Sequence, residues 1–379
     1  MATRARKVFE EVGDAGRPVA VTGVIDAGRD RGRGVARAWM LVLLALVVVM
    51  ILVGGLTRLT ESGLSITEWN LVMGSIPPMN AEAWAREFEL YRQSPQYELM
   101  NRGMSFAEFR VIYWWEWGHR FLGRVVGLAW LLGFVGLLVG RRMPRGWTGR
   151  FALVGGLIAL QGAIGWWMVA SGLEEGMVSV ASYRLATHLG LAFVILGLIW
   201  GYALLLGRPE AELIGARRQG EPGLRRLGTA MMHLGFLQIV LGALVAGIDA
   251  GRAFPTWPLM GDGFLPPDPF GLAPLWRNFF EDAGLVQFMH RMTGYALAAL
   301  VVWAWWRSRG SPHAATRAAF LAVLGATALQ VALGVWAVLS QAQIHVAIAH
   351  QAGAILLWLL IVRARFLARH PIVRSVRAA

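Results

Sequence analysis

The chain has 379 residues, of which 56% are hydrophobic and 16% are charged. Soluble domains are about half apolar and about a quarter charged, so this composition excludes an ordinary soluble protein and indicates an integral membrane protein. No cysteine is present, which excludes disulfides, thiolate metal sites and cysteine nucleophiles.

Eight apolar stretches of about 20 residues are each long enough to cross the hydrocarbon core of a bilayer. They lie near residues 38–56, 117–139, 151–170, 185–206, 227–248, 285–306, 319–339 and 344–362. Residues 1–36 contain Gly, Arg and Asp but no apolar stripe, and we expect them to form a disordered tail. We expect residues 367–379 to form a second tail.

The net charge of +13 would suit a nucleic-acid-binding protein, but the positions of the arginines argue against nucleic acid as a partner. Arginines crowd both terminal segments and alternate loops, at residues 141–150, 208–226 and 307–317. The loops between these are mixed or acidic. Because cytoplasmic loops carry the Lys/Arg excess, we expect both termini in the cytoplasm. A basic surface for anionic lipids is also compatible with this pattern.

An internal repeat relates the two halves of the chain. Four segments of the first half align with four of the second. The aligned pairs are 51–63 with 239–251, 116–120 with 287–291, 160–167 with 329–336, and 183–188 with 345–350. Four helices per half is an even number, so both halves enter the membrane from the same side. We therefore predict an all-α protein made of two tandem four-helix bundles of the same orientation, residues 37–206 and 227–366, joined by a basic cytoplasmic linker, residues 207–226.

The repeat selects four of the eight histidines. His119 pairs with His290, and His188 pairs with His350. They lie on helices two, four, six and eight, toward the start of each, so we expect all four near the outer face at similar depth. A single intramembrane histidine is most often a helix contact, but four at equivalent depth favour a cofactor site.

Paired imidazoles on facing helices are how a four-helix bundle holds a haem or a metal. Neutral imidazole is a normal axial ligand of haem iron, whereas zinc or copper usually requires a third or fourth ligand. The pattern favours haem iron bound by His119 with His188 and by His290 with His350.

Three arginines follow these histidines on the same helices. Arg120, Arg124 and Arg291 are placed to contact haem propionates near the membrane surface. Side chains that extend to lipid phosphates are an equally good explanation of the same residues.

The two halves differ beside the first histidine of each. Glu116 lies one helical turn before His119, and Gln287 takes the equivalent position in the second half. A buried carboxylate suits proton acceptance or the stabilisation of positive charge. A carboxylate hydrogen-bonded to the backbone or to Arg120 is the alternative. We predict that the first half is the reactive site and the second half a permanent cofactor site.

Several of these motifs resemble haem A synthase, most closely the branch shared by alphaproteobacteria and mitochondria. The residues that carry the resemblance are 54–69, 113–124, 184–188, 288–291 and 349–351. The likeness covers all eight predicted helices and leaves out only the two tails.

The resemblance implies an oxidoreductase that converts the C8 methyl of haem O to a formyl group by successive hydroxylations, with water as the oxygen source. The product is haem A for cytochrome c oxidase. A resident haem b would bind His290 and His350, the substrate would bind His119 and His188, and Glu116 would be the catalytic residue.

The resemblance also implies a location and partners. The protein would lie in the bacterial cytoplasmic membrane, with a haem O synthase and an electron-transfer protein as partners. Some relatives carry a cysteine pair in the first outer loop, and its absence here leaves the electron acceptor open.

Two other functions compete with this one. A dihaem electron carrier of the cytochrome b type predicts two equivalent haems and no modified porphyrin. A transporter that uses buried His and Glu predicts no haem at all. The Gly- and Trp-rich segment 162–167 would permit a homo-oligomer, although packing within one chain explains it equally well.

Overall fold

The computed structural model describes residues 23–70 and 73–372, with side chains described from residue 32 onward. Within these residues the protein is all-helical, and eight helices are long and apolar enough to cross a membrane. They are α1 (Gly23–Leu59), α2 (Phe106–Val139), α3 (Thr148–Gly172), α4 (Ser182–Leu206), α5 (Pro222–Gly247), α6 (Ala283–Ser308), α7 (Ala314–Leu339) and α8 (Ile344–Arg369). The prediction of eight spanning helices is confirmed.

The structure shows helices in the segments outside the apolar stretches. Helix α1 begins at Gly23, so residues 23–36, which were predicted to be part of a disordered tail, are helical. The rest of that predicted tail, residues 1–22, lies outside the described residues. The predicted linker holds a helix of nine residues, Glu210–Arg218, before α5 begins. The predicted C-terminal tail is helical as far as Arg369; residues 373–379 lie outside the described part of the chain.

Helix α2 begins well before the apolar stretch that predicted it. The Ser105 hydroxyl oxygen accepts a hydrogen bond from the backbone N–H of Glu108, and the Glu108 carboxylate accepts one from the backbone N–H of Ser105. This reciprocal cap starts a helix independently of hydrophobicity. The polar turns of α2 therefore continue the helix beyond the apolar stretch, on the side of the preceding loop.

The same neighbouring pairs of helices pack in each half. In the first half α1 contacts α2 and α4, and α3 contacts α2 and α4; in the second half α5 contacts α6 and α8, and α7 contacts α6 and α8. The halves meet where α4 packs on α5 and α8, and where α1 packs on α8. We keep two bundles of the same orientation as a proposal, and this repeated packing supports it.

Two indoles join the two halves. Trp358 on α8 donates a hydrogen bond of 3.0 Å to the carbonyl of Phe193 on α4, and Trp200 on α4 donates one of 3.0 Å to the carbonyl of Leu359. A tryptophan contributes a large apolar area and one donor, and here both are used at the same interface.

The loop between α1 and α2 is folded onto the start of α2. It contains two short helices, Ala81–Arg92 and Pro95–Leu99, capped by Asn80 and Ser94. Tyr91 of the loop is fully buried and stacks on Phe109 of α2 with ring centres 5.3 Å apart. We call the end of the molecule that carries this loop and the α5–α6 loop the loop end.

Candidate haem-binding sites

Each of the four histidine rings packs against a glycine on the preceding helix. The pairs are Gly54 with His119 (2.9 Å), Gly165 with His188 (2.9 Å), Gly242 with His290 (3.1 Å) and Gly334 with His350 (3.0 Å), measured from a Cβ built on the glycine to the ring Cε1 atom. A Cβ at Gly54 or Gly165 would have to displace the ring, and one at Gly242 or Gly334 would make an unusually tight contact with it. The glycines thus allow each ring to approach the neighbouring backbone closely, as small residues do between membrane helices.

These four glycines were not singled out from the sequence, although the repeat contains them. Gly54 aligns with Gly242, and Gly165 aligns with Gly334. The structure therefore supports the pairing of the histidines that the repeat predicted, because each ring packs against a glycine at an equivalent position. We call the space beside each of these four glycines a glycine notch.

The second half brings its two histidine rings close together. The ring centres of His290 and His350 are 6.5 Å apart, and their planes are inclined by 74°. Two metal–imidazole bonds of about 2 Å each, with ring centres about 1 Å further on, separate ring centres by about 6 Å. This spacing fits one iron between the two rings.

Three of the imidazoles have a nitrogen that the chain leaves unsatisfied. The Nδ1 atoms of His119, His290 and His350 are buried and have no hydrogen-bond partner among the described residues. Such an atom costs about 1–3 kcal/mol, so it calls for a partner outside the chain. A haem supplies the equatorial ligands that a two-histidine site lacks, so the residues present fit a haem.

Three of the four histidines, His188, His290 and His350, are each contacted by a glutamine on the preceding helix. Gln161 and Gln330 each donate a 2.9 Å hydrogen bond to the backbone carbonyl of the histidine, His188 and His350 respectively. The same amide nitrogens lie 3.1 Å and 3.4 Å from a ring nitrogen of those histidines. Sequence analysis missed these residues, although Gln161 aligns with Gln330 within an otherwise apolar segment.

Glu116 is buried, with 2% of its surface exposed, and both of its carboxylate oxygens accept hydrogen bonds. Oε2 accepts from the Ser65 hydroxyl and the Ile66 backbone N–H, each at 2.7 Å. Oε1 accepts from Nε and Nη2 of Arg120, at 3.1 and 2.6 Å. The structure therefore contains the contacts that we weighed as the alternative to a catalytic role, and Glu116 anchors the α1–α2 loop.

Gln287 fills the equivalent place in the second half with a neutral group. It is also buried and donates a 2.8 Å hydrogen bond to the carbonyl of Ala250 in the α5–α6 loop. The loop end of the first half thus has a buried ion pair where the second half has an amide. This difference in charge is the one that the sequence predicted.

Arg120 and Arg291 hold equivalent loop carbonyls in the two halves. The hydrogen bonds run from Arg120 to Ile66 (2.7 Å) and Glu68 (3.1 Å), and from Arg291 to Phe254 (3.0 Å), Thr256 (2.8 Å) and Leu259 (3.1 Å). In the repeat, 66 aligns with 254 and 68 with 256. Each arginine thus fixes the loop that follows the first helix of its half.

Arg124 also reaches a loop carbonyl, that of Asn70, at 2.8 Å. Loop anchoring was not among the roles that the sequence suggested for the three arginines. Arg120 donates to two backbone carbonyls and to the Glu116 carboxylate, and Arg291 donates to three backbone carbonyls. A role of these arginines in binding propionates therefore stays a proposal.

Filling one of the glycine notches is expected to weaken haem binding without touching a ligand. Gly334→Val would push the His350 ring out of place, and we expect at least a several-fold lower haem content in the purified protein. The matched control is Gly325→Val on the same helix, where a Cβ meets nothing within 4 Å. Equal haem content in both variants, measured by haemochrome absorbance, would contradict the assignment of Gly334.

Comparison with known proteins adds independent information. The COX15-CtaA family model, described as cytochrome oxidase assembly protein, matches residues 37–362. Heme A synthase of Dinoroseobacter shibae is 58% identical over 381 residues, which cover 100% of this chain and 99% of that protein. Heme A synthase of Ruegeria sp. strain TM1040 is 57% identical, with 98% and 99% covered. Heme A synthase of Paracoccus denitrificans is 56% identical, with 98% of each chain covered.

Proposed function

The chain belongs to the COX15-CtaA family of cytochrome oxidase assembly proteins, and from this premise we propose that it is a membrane enzyme that oxidises haem O to haem A. Relatives named heme A synthase match it along its whole length, so the proposal covers both halves. The observation that carries the proposal is the pair of rings of His290 and His350, 6.5 Å apart, with buried and unpartnered Nδ1 atoms.

The two histidine pairs have different tasks in this proposal. His290 and His350 hold a resident haem b, and His119 and His188 hold the substrate. The second half suits a permanent cofactor for two reasons. Each of its histidines is contacted by its own glutamine, and the neutral Gln287 lies where the first half has the carboxylate of Glu116. The first half places the carboxylate of Glu116 one turn from His119, where a reacting substrate would benefit from charge.

The proposed reaction converts the C8 methyl of haem O to a formyl group by successive hydroxylations. With water as the oxygen source, the methyl group and one water give the formyl group, four protons and four electrons. The resident haem, when bound, supplies a redox centre that can pass these electrons on. A membrane or soluble electron-transfer protein must then accept them.

Glu116 supports this oxidation best as a fixed negative charge. Removing electrons from a methyl carbon builds positive charge, and a carboxylate held in place stabilises such charge without reorganising. Its four hydrogen bonds fix its position, whereas taking up a proton would require one of them to be exchanged. Arg120 partly balances the charge, so the field at the substrate depends on both residues.

The surroundings of the protein follow from the same proposal. The chain is a multi-pass membrane protein with bacterial homologues. We propose that it lies in the bacterial cytoplasmic membrane with both termini in the cytoplasm, which puts the loop end and the haem sites toward the outer face. A haem O synthase would supply the substrate, and association into a homo-oligomer is compatible with the exposed aromatic residues on α3.

Chromatography of haems extracted from host membranes tests the function. With a haem O synthase present in both cases, membranes that contain this protein should yield haem A, and membranes without it should yield haem O. Bound but unmodified haem b, with no haem A, would favour a dihaem electron carrier. No haem absorbance in the purified protein would favour a transporter.

A further inference from the structure

The glutamine contacts break the symmetry of the four histidines. Gln238 on α5 lies 3.2 Å from a ring nitrogen of His290, so both histidines of the second half have a glutamine. In the first half His188 has Gln161. The His119 ring receives no side-chain hydrogen bond from any described residue, and its Nδ1 atom is buried without a partner.

Met50 occupies the place that the fourth glutamine would take. It aligns with Gln238 in the repeat, four residues before the glycine notch in both cases. The packing is equivalent as well. A Cβ on Gly294 would lie 3.1 Å from the Gln238 amide nitrogen, and a Cβ on Gly123 would lie 3.4 Å from the Met50 methyl carbon.

The two side chains act differently on a neighbouring imidazole. An imidazole that binds iron through one ring nitrogen carries a proton on the other, and a glutamine side-chain oxygen can accept from that N–H and fix the ring relative to the next helix. The side-chain oxygens of Gln161, Gln238 and Gln330 are buried and have no partner among the described residues. Outer contacts of this kind orient axial ligands and strengthen cofactor binding. A methionine thioether is flexible and a weak acceptor, so it fills the same volume without holding the ring.

We propose that Met50 makes His119 the exchangeable axial ligand, so that substrate haem enters and product haem leaves by release of the His119 bond. Gln161, Gln238 and Gln330 are positioning residues that keep the other three histidines in place. The inference rests on the proposed function, because it assumes that haem O occupies the first half. It explains how the second half can retain its haem while the first half exchanges product haem for new substrate haem.

Exchanging the residues between the two halves tests the proposal. Full-length protein with haem b bound is loaded with haem O, mixed with excess apomyoglobin, and extracted over time to follow each haem separately. Met50→Gln should slow the release of haem O by about 2- to 10-fold, the effect expected of one hydrogen bond of ordinary net strength. Gln238→Met should accelerate the loss of haem b by a similar factor.

Met50→Leu is the matched control, because it nearly conserves the volume and introduces no hydrogen-bonding group. Release of haem O at the wild-type rate is expected. Unchanged exchange in both Met50→Gln and Gln238→Met would overturn the proposal, as would an equal slowing in Met50→Leu. Retained haem b shows that Met50→Gln is folded, and Gln238→Met tests the idea independently. Failure of the proposed function is read separately, from the absence of haem A.

Discussion

His290→Ala and His350→Ala are each expected to give a protein that purifies without haem b, whereas His119→Ala keeps haem b and forms no haem A. An iron bound by two imidazoles loses one of its two protein bonds in each variant. In the second half the neighbouring glutamines contact the histidines and would not bind the iron, so they would not replace a lost ligand. The haemochrome spectrum of the purified protein measures the retained haem, and chromatography of membrane haems measures the product.

His345→Ala is the matched control for these variants. This histidine lies on the same helix as His350 but is exposed, and it belongs to no repeated pair. It should retain haem b and produce haem A at the wild-type level. Loss of haem b in His119→Ala together with its retention in His290→Ala would reverse the roles of the two halves.

The helices could be predicted because the apolar stretches are local features of the sequence. Their ends were less accessible, since the start of α2 depends on the cap formed by Ser105 and Glu108 rather than on hydrophobicity. The equivalence of the four glycine contacts was also accessible, because the repeat marks positions that two copies of one bundle share.

The partners of the buried polar groups could not be predicted from the sequence. Arg120 and Arg291 donate to backbone carbonyls, which have no residue-type signature, so propionates and lipid phosphates were the natural expectations. The glutamines are an intermediate case. Gln161 and Gln330 repeat a polar residue in an apolar segment, and that alone could have indicated an interhelical contact.

Glu116→Gln is expected to abolish haem A formation and to accumulate haem O, while haem b stays bound. The change copies the natural second half, where Gln287 occupies the equivalent buried place beside Arg291, so the fold should tolerate it. Removing a fixed charge from a reacting site typically costs about 100-fold or more in rate. The haem O to haem A ratio in extracted membranes measures the effect.

Because Glu116 also anchors the α1–α2 loop, its two roles must be separated. Ser65→Ala removes one of the hydrogen bonds to Glu116 but leaves the carboxylate charge and the ion pair with Arg120 in place. If charge is what the reaction needs, this variant should keep most of its haem A production. If Ser65→Ala fails as completely as Glu116→Gln, the anchored loop is the essential feature. Normal haem A in Glu116→Gln would leave the carboxylate with a structural role alone, and the charge asymmetry between the halves would then not explain why only one of them reacts.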